Sequence, residues 1–123
     1  MPDGRMEGLI RGKMRALCRL EDIPENGAKG FSGAEGSITG LVAIRRGADV
    51  YVYENACPHI GTPLDWTPDR FLSADGLFII CATHGAEFTI ATGMCISGPC
   101  KGDQLTQVNV VIRNGVIHVP AGV

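Results

Sequence analysis

The residues best suited to chemistry in this chain are two cysteines and two histidines in two short motifs. A C-x-H motif holds Cys57 and His59, and a C-x-x-H motif, which follows residues 60–80, holds Cys81 and His84. Together they offer two thiolate sulfurs and two imidazole nitrogens, a donor set that suits zinc or an iron–sulfur centre. We therefore expect these four residues to bind a metal centre.

Zinc is an open alternative at this point, because zinc also binds two cysteines and two histidines in a tetrahedral site. Usual finger spacings, however, place two cysteines in one half of the site and two histidines in the other. Here each half combines one cysteine with one histidine. The mixed halves favour an iron–sulfur centre, while a zinc-stabilised binding module with no redox role stays open as an alternative function.

The mixed halves resemble the two cluster-binding loops of Rieske proteins, which face each other across a [2Fe-2S] cluster. Glycine-bearing turns follow both halves, at Gly61 and Gly85, and the pair Gly98-Pro99 is similar to the family's third loop, which covers the cluster from the side. The resemblance extends over residues 15–119. It implies a [2Fe-2S] cofactor for this chain.

By position, the resemblance implies that Cys57 and Cys81 bind one iron and that His59 and His84 bind the other. The implied function is that of a ferredoxin, a one-electron carrier that is not itself an enzyme and passes electrons from a reductase to a terminal oxygenase or similar enzyme. An alternative function is that of a small Rieske-like subunit of a nitrite reductase-type enzyme.

The resemblance also implies a low reduction potential. High-potential Rieske proteins carry an additional cysteine in each cluster loop, and these two form a disulfide; Thr62 and Thr83 occupy the positions here. Those proteins also carry a serine and a tyrosine whose hydroxyls donate to cluster or cysteine sulfur, where this chain has Ala86 and Phe88. We therefore expect a potential at the low end of the Rieske range of roughly −150 to +300 mV.

Composition favours an all-β fold. The chain has 123 residues, of which 45% are hydrophobic, only 6% are aromatic and 17 are glycines, which is typical of a turn-rich β protein. We expect a flexible tail over residues 1–14 and a single domain over residues 15–123. The resemblance implies that this domain is an antiparallel, Rieske-like β domain with a cluster-binding subdomain of two hairpin loops at one tip.

Three predicted hairpins position the site. Strands over 38–45 and 50–54 lead into the first motif, a turn at Asp75-Gly76 precedes a strand that delivers Cys81, and strands over 87–90 and 94–97 end at the Gly98-Pro99 loop.

The remaining elements are predicted outside these hairpins. They are a first strand over 15–20, a loop over 30–36, one alternating strand over 105–113 with Val108, Val110 and Ile112 on one face, and a return strand over 116–119 after the turn Asn114-Gly115.

Charge and hydropathy exclude two classes of partner. A net charge of −2 does not support nucleic-acid binding, and no apolar run reaches the length of a membrane span. We expect a soluble cytoplasmic protein without nucleic-acid or membrane contacts. Three cysteines outside the motifs (Cys18, Cys95 and Cys100) are then expected to be reduced thiols, and none of them is expected to be a ligand.

Overall fold

The computed structural model describes residues 13–34, 39–58, 64, 70–81 and 85–123. Ten strands are present in these segments, with one turn of 3₁₀ helix at Leu20–Asp22. The strands are β1 (Met14–Arg19), β2 (Ala28–Phe31), β3 (Leu41–Arg46), β4 (Asp49–Glu54), β5 (Phe78–Cys81), β6 (Ala86–Thr89), β7 (Cys95–Ser97), β8 (Gln107–Val108), β9 (Val111–Arg113) and β10 (Val116–Pro120). The all-β prediction is confirmed. Most of the predicted tail over 1–14 lies outside the described residues, and its last residue opens β1.

The strands form three antiparallel sheets. Their strand orders are β1-β10-β9, β2-β3-β4-β8 and β5-β6-β7. None of the described helical residues forms a helix long and apolar enough to cross a membrane.

The four-stranded sheet separates two hydrophobic cores. Because successive side chains of a strand point to opposite faces, Val42 and Ile44 of β3 pack into one core while Leu41 and Ala43 pack into the other. All four are almost fully buried, with at most 1% of each residue exposed. This strand is therefore covered on both faces.

We name the two cores by their composition. The cysteine core comprises Val42, Ile44, Tyr53, Cys57, Leu64, Phe71, Ile79, Cys81, Ala86, Phe88, Ile90, Cys95, Cys100 and Leu105. The aliphatic core comprises Ile23, Leu41, Ala43, Val52, Val108, Ile117 and Val119.

The predicted hairpins are present. β3 pairs with β4 along its whole length, and β6 pairs with β7. Across the Asp75-Gly76 turn, Leu72 forms an antiparallel bridge with Ile79 of β5. β5 also pairs with β6, a hairpin that was not predicted. Between β9 and β10, Asn114 (φ 52°) and Gly115 (φ 76°) both have positive φ, as a type I′ turn requires.

Two predictions of secondary structure were wrong in part. The predicted loop over 30–36 begins with two residues of β2, where Phe31 pairs with Leu41. The predicted strand over 105–113 is divided, because β8 pairs with β4 whereas β9 pairs with β10. Val108 is consequently buried and Ile112 is 38% exposed, so they do not share one buried face.

Candidate metal centre

The first motif begins where the central sheet ends. β4 ends at Glu54, and Cys57 follows three residues later. The Asn55 side chain then closes the loop, because its Oδ1 accepts a hydrogen bond of 2.7 Å from the backbone N–H of Leu64. The backbone N–H of Asn55 itself donates to the carbonyl of Gly40 at 2.9 Å. Asn55 is therefore anchored at Gly40 and joined to Leu64, on the far side of the first motif in sequence.

The second motif begins at the last residue of β5. Cys81 pairs in register with Ala86 of β6, and the N–H of Gly85 donates to the Cys81 carbonyl at 2.8 Å. Gly85 has φ +70°, a conformation that glycine adopts without steric cost. The described residues on either side of His84 in sequence are thus held close together.

The structure brings the two predicted cysteine ligands into one core. Cys57 and Cys81 are 1% and 0% exposed, both belong to the cysteine core, and neither forms a disulfide. His59 and His84 lie outside the described residues, and no group of three or more potential ligands is formed by the side chains that are described. Two buried thiols at the bases of two loops fit the sulfur half of the predicted ligand set.

The third loop packs against the second. A Cβ added at Gly98 would lie 2.8 Å from the Cα and 3.0 Å from the Cβ of Ala86, so only glycine permits this approach. Because Ala86 is the register partner of Cys81, the Gly98-Pro99 loop lies beside the strand end that carries a predicted ligand. That this loop covers the cluster stays a prediction.

Sequence reasoning missed a pair of cysteines in the third loop. The Sγ atoms of Cys95 and Cys100 are 2.8 Å apart, and the Cys95 thiol also donates to the Ser97 carbonyl at 3.3 Å. Burial, the hydrogen bond with Cys95 and the neighbouring thiols of Cys95 and Cys57 raise the pKa of the Cys100 thiol. The third loop therefore approaches the first as well. The C-x₄-C spacing around Gly98-Pro99 was the available signal.

A buried tyrosine links β4, which precedes the first motif, to the β6–β7 hairpin, which follows the second motif. The Tyr53 hydroxyl, on β4, donates a hydrogen bond of 2.5 Å to the carbonyl of Ile90, between β6 and β7. Burial, with a smaller contribution from Tyr51, raises the pKa of Tyr53 to about 12. The neutral phenol thus ties the strand that leads to Cys57 to the hairpin that begins beside Cys81.

Comparisons with known proteins agree with this geometry. The structure is similar to a chain in the complex of reduced oxygenase and oxidized ferredoxin in carbazole 1,9a-dioxygenase, with a TM-score of 0.71, 26% identity, and 88% of this chain and 93% of that chain covered. It is also similar to the ferredoxin of carbazole 1,9a-dioxygenase from Nocardioides aromaticivorans IC177 (TM-score 0.71, 23% identity, 89% and 98% covered). A third similar structure is Sphingomonas yanoikuyae B1 ferredoxin (TM-score 0.67, 24% identity, 88% and 98% covered).

Sequence comparison identifies the family. No curated protein matches this chain. Residues 13–114, however, match the family model of the Rieske [2Fe-2S] domain. The fold is that of Rieske ferredoxins, and the all-β, Rieske-like prediction is confirmed. The chain therefore belongs to the Rieske [2Fe-2S] domain family, and its cofactor is a [2Fe-2S] cluster.

Proposed function

We propose that this protein is a one-electron carrier that accepts an electron from a reductase and passes it to a terminal oxygenase or a similar enzyme. The observation that carries the proposal is the fold, which matches ferredoxins over 88–89% of this chain and up to 98% of theirs. The similar complex contains an oxygenase together with a ferredoxin. In this proposal the chain has no catalytic residue of its own.

Four residues are proposed as ligands of the cluster. Cys57 and Cys81 would bind one iron and His59 and His84 the other, as the family's mixed ligand set requires. When bound, the cluster supplies a site that takes up and releases one electron. The burial of both cysteines supports their assignment, since a buried thiolate needs a positively charged partner to offset the loss of hydration.

The chain's own contribution is to hold these ligands in place. The Asn55 side chain closes the first loop at Leu64, and the Cys81–Ala86 pair closes the second. Tyr53 then connects β4 to the β6–β7 hairpin through its hydrogen bond to the Ile90 carbonyl. A site supported by strands and by buried hydrogen bonds changes little in geometry when its charge changes, which favours rapid electron transfer.

We also infer that the carrier works in the cytoplasm. The inference rests on cysteine usage, since Thr62 and Thr83 occupy the positions where high-potential Rieske proteins carry a disulfide between the cluster loops.

Spectroscopy of the purified full-length protein tests the cofactor and its ligands. We expect visible absorption, iron and acid-labile sulfide in equal amounts, and an electron paramagnetic resonance signal that appears on reduction and disappears on reoxidation. A reductive titration should consume one electron per cluster. A colourless protein that contains stoichiometric zinc would overturn the proposal.

Anaerobic mixing with an oxygenase tests the direction of transfer. Reduced holoprotein is mixed with the oxidised terminal oxygenase of carbazole 1,9a-dioxygenase as a probe acceptor, and reoxidation of the carrier's cluster is followed by absorption. We expect faster reoxidation with the oxygenase than with buffer alone. A cluster that takes up one electron reversibly but never passes it to this acceptor would contradict the oxygenase part of the proposal.

A further inference from the structure

The third loop contains a pair of thiols that neither the fold nor the proposed cluster requires. Cys95 and Cys100 are 2% and 1% exposed, and their sulfur atoms lie 2.8 Å apart. This separation is longer than an S–S bond of about 2.05 Å, so the two residues are adjacent thiols. A small movement of either side chain would bring the sulfurs within bonding distance.

The backbone of the loop brings the two cysteines together. The N–H of Cys95 donates to the Asp103 carbonyl at 2.8 Å, and the N–H of Gly102 donates to the Cys95 carbonyl at 3.3 Å. Two successive turns follow over residues 98–103, because the N–H of Lys101 donates to the Gly98 carbonyl at 3.2 Å and that of Asp103 donates to the Cys100 carbonyl at 2.8 Å. Cys100 is thereby held over Cys95.

We propose that Cys95 and Cys100 form a reversible dithiol–disulfide site that closes the base of the third loop, with a small-molecule disulfide such as glutathione disulfide as the oxidant. In the first step one thiol loses its proton and attacks a sulfur of the oxidant, which releases one glutathione. The second cysteine then loses its proton and attacks the mixed disulfide, which releases the other glutathione. Two electrons and two protons pass from the cysteines to the two glutathione molecules.

The surroundings make this pair the preferred site among the five cysteines. Cys57 and Cys81 are the proposed cluster ligands, and Cys18 packs against the aliphatic core, on the other side of the central sheet. The loop residues between the paired cysteines, from Ile96 to Pro99, are all exposed, as is Lys101. Opening of this exposed loop gives the oxidant access to thiols that are otherwise buried.

Closure would act on the contact between the third loop and the cluster-binding strands. Gly98, which lies between the two cysteines in sequence, packs on Ala86, the register partner of Cys81. A covalent link between positions 95 and 100 removes conformational freedom from the segment that carries Gly98. The inference does not depend on which enzyme accepts the electron.

The position of Met94 allows a direct test. Holoprotein is incubated with glutathione disulfide, quenched in acid, alkylated under denaturing conditions and cleaved with cyanogen bromide after methionine. The fragment 95–123 then contains Cys95 and Cys100 and no other cysteine. We expect mass spectrometry to show this fragment unalkylated and lighter by two hydrogen masses than its dithiol form, with both alkylation sites restored by dithiothreitol.

Three variants complete the test. Cys95→Ser and Cys100→Ser should each lose the intramolecular disulfide, whereas Cys18→Ser should form it as the wild type does. Complete alkylation of both thiols in wild-type fragment 95–123 after oxidant treatment would overturn the proposal. A stable glutathione adduct on that fragment, or a disulfide confined to fragment 15–94, would overturn it as well.

Discussion

The cysteine core and the aliphatic core share the two longest strands of the central sheet but differ in composition and in surroundings. Four of the five cysteines lie in the first, together with the bases of all three loops. The second is filled by aliphatic side chains and is closed by β10, whose Ile117 and Val119 are fully buried. The central sheet thus separates the core that contains the proposed cysteine ligands from a core whose buried residues are all aliphatic.

Hydrogen bonds reinforce the two sides differently. On the aliphatic side, the Arg45 guanidinium donates to the carbonyl of Ile23 at 3.1 Å, which fixes the chain between β1 and β2. It also donates to the Gly47 carbonyl at 2.8 Å, in the turn between β3 and β4. On the cysteine side, the bonds made by Tyr53 and Asn55 fix the loops themselves. Substitutions on the two sides should therefore have separable effects on stability and on the cluster.

The largest effect is expected at the proposed cysteine ligands. Cys57→Ser or Cys81→Ser should abolish cluster assembly, because a hydroxyl is a poor substitute for a thiolate on iron. Visible absorption and iron content of the purified variants measure this. The matched control is Cys18→Ser in the other half of the molecule, which should retain the full spectrum, as should Cys95→Ser and Cys100→Ser. Loss of colour in the Cys18 variant would show that a substitution beside the aliphatic core also disturbs the cluster.

The next effect distinguishes stability from cofactor binding. Ile117→Ala in the aliphatic core should lower the free energy of unfolding by about 2–5 kcal/mol, since it removes a fully buried branched side chain. The reduction potential should stay unchanged. Ile79→Ala, the matched variant in the cysteine core, should cause a similar loss of stability together with lower iron occupancy. Thermal unfolding and voltammetry of both variants check this, and equal iron loss in the two would contradict it.

A third prediction concerns the contact of the third loop. Gly98 has φ +103° and lies against Ala86, so Gly98→Ala should incur backbone strain of about 1–3 kcal/mol and a steric cost of about the same size. Gly102→Ala is the matched control, because Gly102 has φ +98° but open space around it. Denaturant unfolding should show a smaller loss for the control. Equal losses would mean that the Ala86 contact has no energetic role.

A fourth prediction uses the raised pKa of Tyr53. The pKa is about 12 in the folded state against about 10 in an unfolded chain, so folding favours the neutral phenol. The resulting contribution to the free energy of unfolding is fully present below about pH 10 and is lost as the pH rises towards about 12. Tyr53→Phe should flatten that alkaline loss, and it should cost about 1–3 kcal/mol at neutral pH because the buried Ile90 carbonyl loses its donor.

The other tyrosine supplies the control for this experiment. Tyr51→Phe retains the Tyr53 hydroxyl and should therefore retain the alkaline loss of stability. Unfolding free energies measured from neutral pH to about pH 12 decide between the outcomes. An unchanged alkaline slope in Tyr53→Phe would show that this phenol is not the group responsible.

Much of the fold could be predicted because the relevant signals are local. Runs of β-branched, aliphatic and aromatic residues predict β3 and β4, and Asn114-Gly115 predicts a turn that requires two positive φ angles. The division of 105–113 between two sheets could not be predicted, because pairing partners are decided by tertiary packing. The same holds for β2, a short strand that contains Gly30 and is stabilised by its pairing with β3.

The site shows a similar limit. The two cysteine–histidine motifs are visible in the sequence because ligand types and spacing are local properties. The contact between Cys95 and Cys100 depends on how two successive turns coil the third loop, and the role of Asn55 depends on where Leu64 lies. Both are relations between residues several positions apart, which pattern analysis does not capture.

The smallest predicted effect compares two buried alanines, one in each core. Ala86 and Ala43 are both 0% exposed and both lie in strands. In Ala86→Ser the new hydroxyl enters beside the Cys81 strand end, at the position that the resemblance to high-potential Rieske proteins assigns to a donor to sulfur. A donor stabilises the added electron of the reduced cluster, so the potential should rise. Phe88→Tyr carries the same expectation.

The magnitude and the control follow from hydrogen-bond energies. A hydrogen bond to a charged group contributes about 1.5–3 kcal/mol, but both redox states benefit, and only the difference changes the potential. With about 1.4 kcal/mol per 59 mV for one electron, the rise should be on the order of tens of millivolts. Ala43→Ser should reduce stability by about 1–3 kcal/mol, because its hydroxyl is buried among aliphatic side chains, and should leave the potential unchanged. If voltammetry shows the same potential for both serine variants with intact clusters, position 86 does not act on the cluster's sulfur.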